Sequence, residues 1–321
     1  MPVESVTLSA VGTGLQRPEC VLCTAAGDVF SADWRGGVAQ IAADGTQRLH
    51  LGQAAGLPPL RPNGIALLAD GSFLLAQLGA DDGGVYRLWR DGRVEPWLTS
   101  VAGAPLPPTN FVLPDGKGRT WVTVSTRRQP RALGYRADCD DGFIVRVGAD
   151  GHAEVAADGL GYANEVAVHP DGRWLYVNET FARRLSRFAL GDDGRLGPRQ
   201  TVTEFGEGCF PDGIAFDVEG HAWVVSIVSN RLIRVAPDGR QQLWLEEADA
   251  AHLADVEAAF RAGTMGRPHL DAVPSCVLRN VSSIAFGGPD RRTAHLGCLL
   301  GDRIVTLRLP VAGAPLPHWS F

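Results

Sequence analysis

"CFPDGIAFDVEGHAWVV", residues 209–225, holds a short apolar run, a turn, a second apolar run, and a carboxylate, Asp212, just ahead of the first run. Alternating apolar residues on either side of a tight turn read as a β-hairpin. The same plan recurs in "RPECVLCTAAGDVFSADW", "RPNGIALLADGSFLLAQL", "PTNFVLPDGKGRTWVTV", "YANEVAVHPDGRWLYVNET" and "NVSSIAFGGPDRRTAHLG". Aligning the six segments puts Glu19, Asn63, Asn110, Asn164, Asp212 and Ser282 at one equivalent position, with steps of 44, 47, 54, 48 and 70 residues. A further strand-like stretch ending in a turn follows most units, as in "GGVYRLWRDG" and "NRLIRVAPDG". Repeats of this length built from short strands specify a β-propeller with one four-stranded sheet per repeat. The chain is therefore expected to be all-β, a six-bladed propeller over residues 1–321. Its ring is expected to close by pairing "VESVTLSAV" near the start with "DRIVTLRLP" near the end, which removes exposed sheet edges.

Two stretches break the repeat, at about 126–141 and 246–275. The second contains "EEADAAHLADVEAAFRAG", where Leu253, Val256, Ala259 and Phe260 recur at helical spacing and Gly263 offers a stop. A short helix on a loop is expected there, as packed decoration, as a cover over the channel, or as a contact in a homo-oligomer.

Composition narrows the partners. The 321 residues carry a formal charge of −6, with 36 acidic and 30 basic side chains, which argues against nucleic acid or an acidic membrane as a partner. No apolar run is long enough to span a bilayer, and the first residues lack the basic-then-apolar plan of a signal peptide, so a cytoplasmic protein is expected. The six cysteines are too sparse for a disulfide scaffold. Cys20 and Cys23 form a CxxC, but in a strand residues three apart face opposite ways, so buried thiols are expected rather than a metal or redox site.

In a propeller the innermost strand of each blade lines a central channel, so the aligned positions form a ring. Two carboxylates, three amides and a hydroxyl in a desolvated tunnel are all oxygen donors, and the two anions repel unless a cation lies between them. Hard donors without His or Cys suit Ca²⁺ first, with Mg²⁺, Mn²⁺ or Zn²⁺ as alternatives. The competing reading is that single Asn residues cap turns. It fits Asn63 or Asn164 alone, but not Glu19.

"RPECV", "PTNFVLPDGKGRTWVT", "YANEVAVHPDGRWLYVNET" and "CFPDGIAFDVEGHAWVV" resemble the motifs of the SMP-30/gluconolactonase family, and the likeness spans nearly the whole chain. The resemblance implies a six-bladed propeller binding one divalent cation through Glu19, Asn164 and Asp212. Asn110 then completes the metal shell or faces substrate, and Asn63 is placed beside it on the substrate side. The implied activity is metal-dependent opening of a small, sugar-derived or other lactone to its hydroxy acid. Asp212 would serve both as ligand and as the base that activates water. The chain departs from the family pattern at Pro18-Glu19-Cys20, where Gly or Ala usually precedes the Glu and Gly follows it. It departs again at Pro108, where many sugar lactonases carry an Arg that meets substrate; Arg127, Arg128 and Arg131 are the loop candidates to replace that Arg. The same four metal positions also resemble organophosphate hydrolases of the diisopropylfluorophosphatase type. A phosphotriester hydrolase and a non-enzymatic ligand-binding propeller therefore stand as alternatives.

Overall fold

The computed structural model describes residues 6–53, 56–57 and 59–321. Among them six four-stranded antiparallel sheets form the blades. Blades 1 to 5 take their strands in sequence order: Val21–Cys23 to Gln47–Leu51, Pro62–Leu67 to Val94–Leu98, Thr109–Pro114 to Ala153–Leu160, Ala163–Val168 to Leu196–Glu204, and Cys209–Phe216 to Gln241–Glu246. Blade 6 combines Val281–Gly287, Thr293–Cys298 and Ile304–Arg308 with Leu8–Val11, the latter two pairing from Leu8↔Leu307 to Val11↔Ile304. The expected closure is thus present, although Val3–Ser5 of the quoted N-terminal segment lies outside the described residues. First strands of neighbouring blades pack in cyclic order, with blade 6 returning to blade 1. A small hairpin, Ser100–Val101 with Ala104–Pro105, links blades 2 and 3 and has no counterpart in the repeat pattern.

The inner strands are interrupted where the ring residues sit. The ladder with the second strand skips between Pro62 and Ile65, Thr109 and Phe111, Ala163 and Val166, Pro211 and Ile214, and Val281 and Ser283. A bulge bends the strand and re-aims a side chain. Asp212 therefore lies within a strand rather than ahead of one, freed from the ladder by its bulge. In blades 2 and 5 the next residue is glycine, because a Cβ at Gly64 would lie 2.7 Å from the Phe111 Cα and one at Gly213 2.6 Å from the Ser282 carbonyl oxygen. Polar side chains also stitch neighbouring blades: Asn280 Oδ1 accepts from the Val228 amide at 2.7 Å, and Asn230 Oδ1 from the Val281 amide at 2.8 Å.

Trp121 and Trp223 on second strands are fully buried, whereas Trp34 and Trp174 are only half-buried. Cys20 and Cys23 are buried free thiols, and burial raises both above the usual thiol range. The sequence stretch around 250–261 forms helix α1, Ala250–Arg261, with Asp249 as its N-cap accepting from the His252 amide at 2.8 Å. Gly263, just beyond its end, takes φ +67. A second short helix, α2, Arg267–Asp271, follows. Among the described residues no helix is long and apolar enough to cross a membrane.

His295, buried in the second strand of blade 6, is pushed down to about 4 by burial, partly offset by the Thr293 carbonyl. The folded chain therefore binds fewer protons than the unfolded chain between that value and the ordinary 6.5. The stability this residue contributes is complete above pH about 6.5 and is lost as pH falls toward 4. In urea titrations at pH 7.5 and 4.5, His295→Gln is expected to remove roughly 2–3 kcal/mol of the acid-induced loss seen in the parent chain.

Candidate functional site

The ring residues are buried. Glu19, Asn110, Asn164 and Asp212 line one cavity together with Arg17, Thr180 and residues from both insertions. Asn63 is placed differently: its amide nitrogen donates to the Asn110 carbonyl at 3.1 Å, and its side chain is not part of the cavity wall. Its observed contact braces Asn110. Ser282 donates to the Glu19 carbonyl at 3.3 Å and ties blade 6 to blade 1.

Three features of the cavity point to a cation. The side-chain oxygens of Asn110 and Asn164 are buried without a hydrogen-bond partner, and such groups are costly unless something occupies them. Asn164 is oriented by donating its amide to the Thr180 hydroxyl at 3.0 Å, which turns its free oxygen elsewhere. Asp212 is held well above the usual carboxylate range by burial and by the Glu19 and Glu165 carboxylates, against the opposing pull of Arg17 and Arg131. A buried carboxylate in the field of other carboxylates is relieved by positive charge. All of these donors are oxygens, with no thiol or imidazole on the cavity wall.

Fourth-blade residues hold Asp212 in place. Asn178 donates to the carbonyls of Asp212 at 2.9 Å and Gly213 at 3.1 Å, and Thr180 donates to the Pro211 carbonyl at 2.8 Å. The "VNET" motif thus braces the next blade as well as its own. Glu179 anchors it from behind, accepting from the Gly161 amide at 2.7 Å and from Arg184 at 2.6 Å.

Sequence reasoning missed several of the residues gathered here. Arg17, two positions before Glu19, is buried and ion-paired to it at 2.8 Å. Its guanidinium also stacks on Trp34, 4.3 Å from the ring centroid. Glu165 follows Asn164 in the same bulge, accepts from the Ile214 amide at 3.0 Å, and is pushed up to about 8 chiefly by burial. The Asn-Glu pair at a bulged strand start was the only available signal for it. Tyr135, Tyr162 and Arg267 also line the cavity. Of the three loop arginines considered, only Arg131 does so; Arg127 pairs with Asp158 at 2.8 Å and Arg128 lies 3.7 Å from Asp141.

Both insertions pack over this side of the ring, in a shared cluster containing Tyr135, Tyr162, Phe181, Phe210, Phe260 and Leu270. Glu257 of α1 pairs with Arg183 at 2.7 Å, and that guanidinium lies over Phe210 and Phe260. On the opposite side the channel is apolar apart from Glu165 and Ser283, and Leu316, His318 and Trp319 cover it.

Comparison with known proteins follows the same lines. The profile of the SMP-30/Gluconolactonase/LRE-like region matches residues 50–246, more than half of the chain. The chain belongs to this family. A 6-deoxy-6-sulfogluconolactonase of Pseudomonas putida is 30% identical over 77% of this chain and 70% of its own length. Among solved structures, a gluconolactonase from Xanthomonas campestris superposes with TM-score 0.69 at 20% identity over 95% of this chain and 90% of that one. A calcium-binding regucalcin from Agrobacterium tumefaciens superposes with TM-score 0.70 at 17% identity over 100% and 99% of the two chains. At those identities the structural likeness establishes the shared propeller of the SMP-30/gluconolactonase family.

Replacing Asn178 with Ala deletes both hydrogen bonds to the Asp212–Gly213 backbone and leaves two buried carbonyls unpaired. Stability is expected to fall by about 2 kcal/mol in urea titration. Thr180→Val also removes two hydrogen bonds, the one donated to the Pro211 carbonyl and the one accepted from the Asn164 amide, and is expected to cost a similar amount.

Proposed function

We propose that the chain is a divalent-metal-dependent lactonase, opening a small lactone to its hydroxy acid. The observation that carries this reading is the convergence of Glu19, Asp212 and the unpartnered oxygens of Asn110 and Asn164 on one cavity. The names of the relatives, a sulfogluconolactonase and a gluconolactonase, support the same reaction class.

Glu19, Asn110, Asn164 and Asp212 would hold the cation, Ca²⁺ being the best match to an all-oxygen set. When bound, it supplies positive charge against the negative charge that develops on the lactone carbonyl oxygen. Arg17 neutralises part of Glu19 and fixes its carboxylate through paired contacts from Nε at 2.9 Å and Nη2 at 2.8 Å. Asp212, held by Asn178 and Thr180, accepts a proton from the attacking water as its oxygen bonds to the carbonyl carbon. The ring C–O bond then breaks, and the departing oxygen takes that proton back from the Asp212 carboxyl. The products are one carboxylic acid and one alcohol on the same molecule, so atoms and charge balance. The aromatic packing of the insertions lowers the polarity around this side of the ring, which would strengthen each of these interactions.

Protein stripped with chelator is expected to lose lactone hydrolysis in a pH-indicator assay and to regain it with Ca²⁺, Mg²⁺, Mn²⁺ or Zn²⁺. Asp212→Asn is expected to fold normally and to lower kcat by about a thousandfold. Activity that survives thorough chelation would overturn the reading. Metal-dependent cleavage of phosphotriesters with none of lactones would replace it.

A further inference from the structure

Arg131 is the cationic side chain of the cavity that the metal-dependent reaction leaves unexplained. It belongs to the first insertion, in the short 3₁₀ turn Arg131–Gly134. Its Nη1 is buried without a hydrogen-bond partner, and among the described residues no carboxylate lies within ion-pair distance of it. The other two guanidiniums on the wall are paired: Arg17 with Glu19 inside the channel, and Arg267 with Asp271 on its own helix. Glu19 and Asp212 act on Arg131 across the cavity without contacting it, and a buried charge with no direct partner is costly unless one arrives. Beside Arg131 stand two more unsatisfied donors, the hydroxyls of Tyr135 and Tyr162; both residues are at least 96% shielded, with exposures of 1% and 4%. Their rings meet edge-on at 5.5 Å and rest on Phe181, so they are fixed rather than free to seek water. All three donors line the same cavity as Glu19 and Asp212.

We propose that Arg131, Tyr135 and Tyr162 form a subsite for an anionic substituent, so that the lactone accepted here carries a terminal sulfonate, phosphate or carboxylate. Three donors on the wall of one cavity suit an oxyanion, and a guanidinium is the side chain best shaped to hold one. Arg267, at the edge of the cavity with its guanidinium about a third exposed, adds positive charge along the approach. The charge balance agrees. Glu19, Asp212 and Asp271 offset three arginines, and a dication in the ring then leaves the cavity positive. Burial works against the charge on Arg131, but a guanidinium keeps its proton at any working pH. This inference rests on the lactonase reading for the reaction, but not for the anion.

The decisive comparison is kcat/KM for lactones of one ring size bearing a terminal sulfonate, phosphate or carboxylate, against the neutral hydroxymethyl analogue. The anionic lactones are expected to be preferred by about a hundredfold, chiefly through KM. Arg131→Gln is expected to erase most of that preference and Tyr162→Phe about tenfold of it, with smaller losses on the neutral lactone. Methanesulfonate, titrated calorimetrically into metal-loaded protein, is expected to bind the parent chain and not Arg131→Gln. A neutral lactone turned over as well as the anionic ones, or a preference that survives Arg131→Gln, would overturn the subsite. Should no lactone be cleaved, the lactonase reading fails, and the titration still decides on the anion: binding abolished by Arg131→Gln upholds the subsite, and no binding removes it.

Discussion

Everything at the centre of this molecule depends on a pairing at its rim. Leu8–Val11 completes the sheet begun by Val281–Gly287, joining the first and last parts of the chain in one blade. That contact turns six sheets that would otherwise fan out into a closed ring, so that every inner strand faces a common axis. Without closure, Glu19 and Asp212 would not meet, and the cost of bringing two carboxylates together would not arise. Closure supplies the site and its electrostatic tension at once. It also leaves no inner strand exposed, because each one packs between its neighbours.

The bulges convert that geometry into chemistry. A regular strand would pair every backbone group and alternate its side chains between the two sheet faces. Interrupting the ladder at the start of the inner strands releases single residues to point along the channel instead. Because the carbonyls freed in this way are buried, they need partners from elsewhere, and neighbouring blades provide them. Asn63 binds the Asn110 carbonyl and Asn178 those of Asp212 and Gly213. Residues that a linear reading assigns to one blade therefore work for the next.

The two sides of the ring are finished in different ways. On the insertion side, aromatic packing holds arginines and tyrosine hydroxyls over the ring. On the other side, the last residues of the chain cover an almost wholly apolar stretch, anchored by the Ala25 amide donating to the Trp319 carbonyl at 2.7 Å. Unpartnered polar groups lie on the insertion side. The apolar half carries Glu165, engaged by the Ile214 amide, Ser283, which accepts from the Val21 amide, and His318.

The repeat spacing and the hairpin signals determined the propeller, its six blades and its closure, because strand periodicity and turn chemistry are local and are written residue by residue. The helix near 250–261 was legible for the same reason. Aligning the repeats also brought Glu19, Asn110, Asn164 and Asp212 to one level, since equivalent positions in a symmetric ring share a height. What symmetry could not supply came from tertiary structure. Asn63 is equivalent to the others by register, yet its amide nitrogen is tied to the Asn110 carbonyl and it stands off the cavity wall, its side-chain oxygen buried without a partner. Arg131, Tyr135 and Arg267 reach the cavity only because two insertions of unrelated sequence pack against each other, a contact that no repeat encodes. The local pattern determined where the oxygen ring stands; long-range packing decided which charges look into it.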